Sequence, residues 1–211
     1  MNRTRVKICG ITNLIDAQAA IDAGADALGF VFYPKSPRYI SFQNAEKVCS
    51  QTKPDIMKIG VFVNENIENL CDLSNRGFLT HFQFSGDESA DYCEQFADKA
   101  IKTFRVKNGI DKNLLKNFQK CKYFLFDSGS DGSYGGSGRI FDWEYLKEAG
   151  LNKNFILAGG LTPENVKEAI LSVKPFMVDV SSGVEKTPGI KDHDKIIRFI
   201  DACRSVDSFS V

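Results

Sequence analysis

The chain has 211 residues, with 27 Lys and Arg balanced by 27 Asp and Glu, and it is 43% hydrophobic and 26% charged. That length and composition suit a chain that buries a proper core and exclude a disordered one. Zero net charge removes any bulk electrostatic case for nucleic acid or an anionic membrane as partner, and no apolar run approaches the roughly 18–20 residues of a membrane span.

From the N-terminus onward a short apolar run, a polar or glycine-containing turn and a helical period recur. The first twelve residues are basic but lack the apolar stretch and cleavage site of a signal peptide, so a cytoplasmic protein is expected. Strands are predicted at residues 5–9, 27–32, 58–63, 79–84, 101–106, 123–127, 155–158 and 176–180. Helices are predicted between and after them, at residues 14–23, 43–50, 67–75, 89–98, 112–118, 143–149, 163–172 and 194–203. Thr162-Pro163-Glu164 reads as an N-cap, a first-turn proline and a first-turn acid, while Gly24 and Gly150 stand where helices end. Eight alternating units predict a single-domain α/β chain, a (β/α)8 TIM barrel over residues 1–204, with a frayed polar tail at 205–211. An open dinucleotide-binding sheet is disfavoured, because Cys9-Gly10-Ile11-Thr12 follows the first strand instead of G-x-G-x-x-G.

A barrel carries its chemistry at the C-terminal ends of its strands. Lys7 and Cys9 alternate with Val6 and Ile8, so the lysine and the thiol face the barrel axis together. A nearby ammonium favours thiolate, which fits a base or nucleophile; a buried structural cysteine fits the same position. After the second strand, Arg38 on a loop stiffened by Pro34 and Pro37 either presents a planar fork to a carboxylate or phosphate or is a solvated surface residue. Asp127 ends the sixth strand on the inward face, where a carboxylate is a catalytic acid or base or caps the loop. The Gly/Ser-rich segment 128–138 that follows suits a mobile lid or a close backbone approach to ligand. Gly159-Gly160 and Ser182-Gly183 follow strands seven and eight, the loops with which barrels grip a phosphate; simple tight turns are the alternative. Asp179 is a further inward carboxylate, suited to orienting a substrate hydroxyl or the acid. His81 and His193 read as structural, and six scattered cysteines without C-x-x-C argue against a metal or redox centre.

Taken in order, these segments resemble the phosphoribosylanthranilate isomerases along essentially the whole chain. The resemblance is carried by Lys7-Ile8-Cys9-Gly10-Ile11-Thr12, Gly29-Phe30-Val31-Phe32, Ser36-Pro37-Arg38-Tyr39-Ile40 and Gly60-Val61-Phe62-Val63. It continues through Gly135-Gly136-Ser137-Gly138, Phe141-Asp142-Trp143, Leu157-Ala158-Gly159-Gly160-Leu161 and Asn165-Val166. It ends with Val178-Asp179-Val180-Ser181-Ser182-Gly183-Val184-Glu185, then Pro188-Gly189 and Lys191-Asp192. It implies a barrel enzyme of tryptophan biosynthesis that performs an Amadori rearrangement of N-(5-phosphoribosyl)anthranilate to 1-(2-carboxyphenylamino)-1-deoxyribulose 5-phosphate. Asp127 then matches the general acid, Cys9 the general base, Arg38 the holder of the anthranilate carboxylate, and the loops at Gly159-Gly160 and Ser182-Gly183 the phosphate grip. The only partner implied is that phosphorylated small molecule, with no metal or organic cofactor, and the working form is a monomer or homodimer. One departure stands out: where the family usually reads Gln-Leu-His-Gly, this chain has Gln83-Phe84-Ser85-Gly86. Other phosphate-binding barrel enzymes, and a barrel that binds an anionic ligand without turnover, are the competing readings.

Overall fold

In the computed structural model, which describes residues 3–128, 141–151 and 154–207, eight parallel strands close into a barrel. They are β1 Arg5–Cys9, β2 Ala27–Val31, β3 Met57–Phe62, β4 His81–Phe84, β5 Ala100–Arg105, β6 Tyr123–Asp127, β7 Phe155–Leu157 and β8 Met177–Val180. The helices are α1 Leu14–Asp22, α2 Phe42–Ser50, α3 Ile67–Arg76, α4 Ala90–Glu94, α5 Lys112–Asn117, α6 Glu144–Ala149, α7 Val166–Val173 and α8 His193–Asp207. All eight expected strands form, with ends within two residues of expectation. No helix among the described residues is long and apolar enough to cross a membrane.

The alternation read from the sequence becomes two separate apolar layers. Val6, Ile8, Leu28, Phe30, Phe82, Phe84, Phe124, Phe126, Val178 and Val180 point outward and pack with the helices in the larger core. Ala27, Ile59, Ile101, Tyr123, Leu125, Ile156 and Met177 fill the barrel interior. Each fully buried large side chain contributes roughly 1.5–3 kcal/mol, so this stacking drives closure of the barrel. Closure pairs β8 with β1 and sets Lys7 beside Asp179 in register.

Helix ends follow local chemistry. Asn13, Ser41, Asn66, Ser89 and Asp111 cap α1 to α5 with their side chains. Gly150 adopts φ +60 at the end of α6, the left-handed conformation that glycine reaches without strain.

Four expectations need correction. The helix predicted at 89–98 splits into α4 and a 3-10 turn, Ala97–Lys99. The helix after β7 begins at Val166 and not at Pro163. Asn165 intervenes, its Oδ1 accepting from Thr162 N at 2.9 Å while its Nδ2 donates to Gly160 O at 2.9 Å. At the C-terminus, residues 205–207 continue α8 and are not a tail; residues 208–211 lie outside the described residues. Finally, an unforeseen hairpin, β9 Glu185–Thr187 with β10 Ile190–Lys191, stands between β8 and α8.

His81 stands at the start of β4, at the end of the barrel opposite the strand C-termini, with Nδ1 3.0 Å from Thr80 Oγ1. Burial, helped by Lys122, Lys99 and Arg5, pushes its pKa down to about 4. The unfolded chain takes up this proton near pH 6.5 and the folded chain resists until about 4, so stability drains as pH falls across that window. After allowance for solvent screening, His81→Gln should recover on the order of 1–2 kcal/mol of that acid loss. Urea unfolding of both forms at pH 7 and pH 4.5 reads it, and identical losses would contradict it.

Candidate active site

The mouth of the barrel is built from the last residues of β1, β2, β6 and β8 and the loops that follow. Lys7 is fully buried and Cys9 is 8% exposed, both inside the barrel. The Lys7 Nζ donates to both carboxylate oxygens of Asp179 at 3.0 Å. Gly29 on β2 makes room for this arrangement: a Cβ there would stand 2.8 Å from the Cys9 Sγ and 3.0 Å from the Lys7 Cε. Cys9 packs in a small cluster with Val31, Val61 and Tyr33.

Electrostatics at Cys9 differ from the sequence expectation. Burial pushes the thiol up, and Lys7 and Lys191 pull it back only in part. The thiol of this form is therefore protonated at neutral pH, and the lysine alone does not make a standing thiolate. At Lys7 burial opposes the charge, but Asp179 and Cys9 outweigh it and hold the ammonium above its ordinary range. A buried lysine stays charged here because its carboxylate partner is fixed by the strand register.

Arg38 is no solvated surface group. Its Nε donates to Glu185 Oε1 at 2.8 Å and its Nη2 to Glu185 Oε2 at 2.7 Å. The Lys191 Nζ also donates to Glu185 Oε1, at 2.9 Å. Despite its burial, Glu185 is held below the usual carboxylate range by Arg38 and Lys191. Sequence reasoning placed Glu185 and Lys191 only within family motifs and gave them no role. Their separation from Arg38, 147 residues for Glu185, left no local signal.

Asp127 ends β6, half-buried, and the Ser128 hydroxyl donates to its Oδ1 at 3.3 Å. The segment that follows, expected to be a lid, lies from residue 129 outside the described residues, as does the Gly135-Gly136-Ser137-Gly138 motif. A Cβ on Gly159 would come within 3.0 Å of Asp127 Oδ1 and 2.6 Å of the Ser128 amide, so the loops after β6 and β7 touch. Gly159 and Gly160 both take positive φ, +88 and +64, a backbone course that side chains disfavour. Gly183 packs against Leu161, where a Cβ would clash with the Leu161 carbonyl oxygen at 2.0 Å. The two glycine loops are thereby brought together, with exposed Ser182 opening a 3-10 turn beside them. Ser181 Oγ is buried there and has no hydrogen-bond partner among the described residues.

The departure after β4 forms a hydroxyl wall. Gln83 Nε2 donates to Ser85 Oγ at 3.1 Å, Ser85 Oγ lies 2.9 Å from Thr103 Oγ1, and the Arg105 Nη2 donates to the Ser85 carbonyl at 2.9 Å. Among the described residues no group of three or more His, Cys, Asp or Glu is placed to hold a metal ion. The arrangement offers an acid and a thiol on strands at different sides of one mouth, a fixed guanidinium, and paired glycine loops suited to an anion.

Comparison with known proteins gives the family and the fold. The family model described as N-(5'phosphoribosyl)anthranilate (PRA) isomerase matches residues 6–202. An N-(5'-phosphoribosyl)anthranilate isomerase of Pseudomonas fluorescens is 46% identical over 205 residues, covering 97% of this chain and 100% of that protein. The crystal structure of phosphoribosyl anthranilate isomerase from Thermotoga maritima superposes with a TM-score of 0.85 at 42% identity, over 96% of this chain and 99% of that one. A structure of phosphoribosyl anthranilate isomerase in complex with reduced 1-(o-carboxyphenylamino)-1-deoxyribulose 5-phosphate superposes at 0.81 with 40% identity, over 96% and 99%.

Proposed function

The chain belongs to the N-(5'-phosphoribosyl)anthranilate isomerase family, and from that premise we propose how its own residues divide the work. The enzyme isomerises N-(5'-phosphoribosyl)anthranilate to 1-(2-carboxyphenylamino)-1-deoxyribulose 5-phosphate, an aldose–ketose rearrangement in tryptophan biosynthesis. The observation that carries the division is the placing of Cys9 and Asp127 at the mouth ends of β1 and β6, inside one barrel.

Asp127 gives its proton to the furanose ring oxygen. The C1–O bond breaks, the anilino nitrogen lone pair forms a C1=N iminium, and the Asp127 carboxylate is left ionised. Cys9, its thiol proton having passed to water, then removes the proton from C2 as the thiolate; the C2–H electron pair makes the enolamine C1=C2 and the C1=N pair returns to nitrogen. Tautomerisation returns a proton to C1 and leaves the ketone at C2. The iminium cation reverses the electrostatics at Cys9: burial favours the neutral thiol in the free enzyme, whereas a cation beside it favours thiolate. Thiolate is thus populated after the acid has acted, at the moment when C2 is most acidic.

Gly159, Gly160, Ser182 and Gly183 hold the phosphate through main-chain N–H groups. Lys7 and Asp179, locked together, line the floor of the site and present a carboxylate edge to substrate hydroxyls. Arg38 holds the ring carboxylate. Losing such a charge-assisted contact raises KM by about 10–100-fold with kcat largely kept, the result expected for Arg38→Ala. Steady-state kinetics check this, and an unchanged KM would remove Arg38 from substrate binding. The working form is a cytoplasmic monomer or homodimer.

A further inference from the structure

A guanidinium that has given one edge away still has another. Arg38 uses Nε and one Nη2 hydrogen on Glu185. Nη1 makes no hydrogen bond among the described residues, so the Nη1–Nη2 edge keeps the spacing that matches a carboxylate. Arg38 lies close to Cys9 and Gly10: it is electrostatically coupled to Cys9, and a Cβ on Gly10 would touch its Cδ at 2.7 Å. The open edge therefore belongs to the same end of the barrel as the base.

What fixes Glu185 is the hairpin absent from the sequence expectation. Oε1 of Glu185 receives the Lys191 Nζ at 2.9 Å and the Gly189 amide at 3.3 Å. The hairpin is in turn tied to the loop after β1, to α1 and to the loop after β2. Thr12 Oγ1 donates to Gly189 O at 2.6 Å, the Lys191 amide donates to Asp16 Oδ2 at 3.0 Å, and Gly189 packs within Cβ reach of Pro37 O at 3.1 Å. The Glu185 side chain is 4% exposed and that of Lys191 is not exposed at all. Two cationic side chains share one carboxylate, an arrangement that leaves positive charge to meet an anion.

We propose that Glu185 is a positioning residue for specificity. By occupying the Nε–Nη2 edge of Arg38, it aims the opposite edge at the carboxylate of the substrate's aromatic ring and so selects an ortho-carboxylated aryl amine over an unsubstituted one. This rests on the reading that Arg38 holds that carboxylate. A purely structural Glu185 would weaken both kinds of ligand together; a positioning Glu185 weakens only the carboxylated one.

The test is calorimetric binding of two stable reduced ketose phosphates, one with an o-carboxyphenylamino group and one with a plain phenylamino group. The proteins are wild type, Glu185→Gln, Glu185→Asp and Arg38→Ala. Wild type should prefer the carboxylated ligand by about 10–100-fold. In Glu185→Gln that preference should fall by about fivefold or more, with affinity for the phenylamino ligand within twofold of wild type. Should the glutamine variant fail to fold, Glu185→Asp keeps the charge but withdraws the fork by one methylene, and the same drop is expected. A preference unchanged in the Glu185 variants but lost in Arg38→Ala overturns the proposal and leaves the Arg38 reading standing. Equal weakening of both ligands also overturns it. A preference that survives Arg38→Ala overturns the underlying reading itself.

Discussion

Replacing Asp127 with asparagine should lower kcat by about 10²–10⁴-fold, the usual worth of a positioned general acid, while KM moves by no more than a few-fold. Asparagine keeps the shape and accepts the Ser128 hydroxyl as Asp127 does, so packing between the loops after β6 and β7 is preserved. What it cannot do is give up a proton to the ring oxygen. Ring opening is then left to water, and every later step waits on it. Steady-state kinetics with freshly made substrate read the effect. A variant with near-normal kcat would take the acid role away from Asp127.

Cys9→Ala should cost as much, for a different reason. The thiol packs with Val31, Val61 and Tyr33; its removal takes away a single small group and leaves nothing to accept the C2 proton. The pH profile adds a second signature. Burial pushes the Cys9 thiol up in the free enzyme, and kcat/KM reports the free enzyme, so the ratio of wild-type to Cys9→Ala kcat/KM, in which the titration of Asp127 cancels, should rise with pH from about 6.5 to 9. A ratio that stays flat across that range would contradict thiolate as the base.

The barrel itself was legible because its information is local. Val6 and Ile8 alternating with Lys7 and Cys9, or Phe124 and Phe126 alternating with Leu125 and Asp127, name the inward face without any partner being known. The strand-end positions of Cys9 and Asp127 and the loops at Gly159-Gly160 and Ser182-Gly183 followed from the same periodicity. What the sequence hid is long-range or cooperative. The fork between Arg38 and Glu185 and the pair between Lys7 and Asp179 join residues 147 and 172 positions apart. The hairpin holding Glu185 has strands of three and two residues, too short for any period to register. The state of Cys9 depends on how completely the fold excludes water. A neighbouring lysine suggested thiolate, but burial is the larger effect. At Asn165, a side chain tying down Thr162 and Gly160 displaced a helix start that the local Thr-Pro-Glu pattern placed three residues earlier.

The central claim is that this barrel turns over phosphoribosylanthranilate with Cys9 as its base. The most direct measurement mixes the freshly prepared substrate with purified wild type and, in parallel, Cys9→Ala, following the loss of anthranilate-type fluorescence while calorimetry with the reduced product analogue verifies an intact binding site in both. Rapid decay is expected with wild type and decay at the uncatalysed rate with the variant. Equal decay in the two would contradict the assigned base, and no decay in a wild type that binds the analogue would contradict the activity.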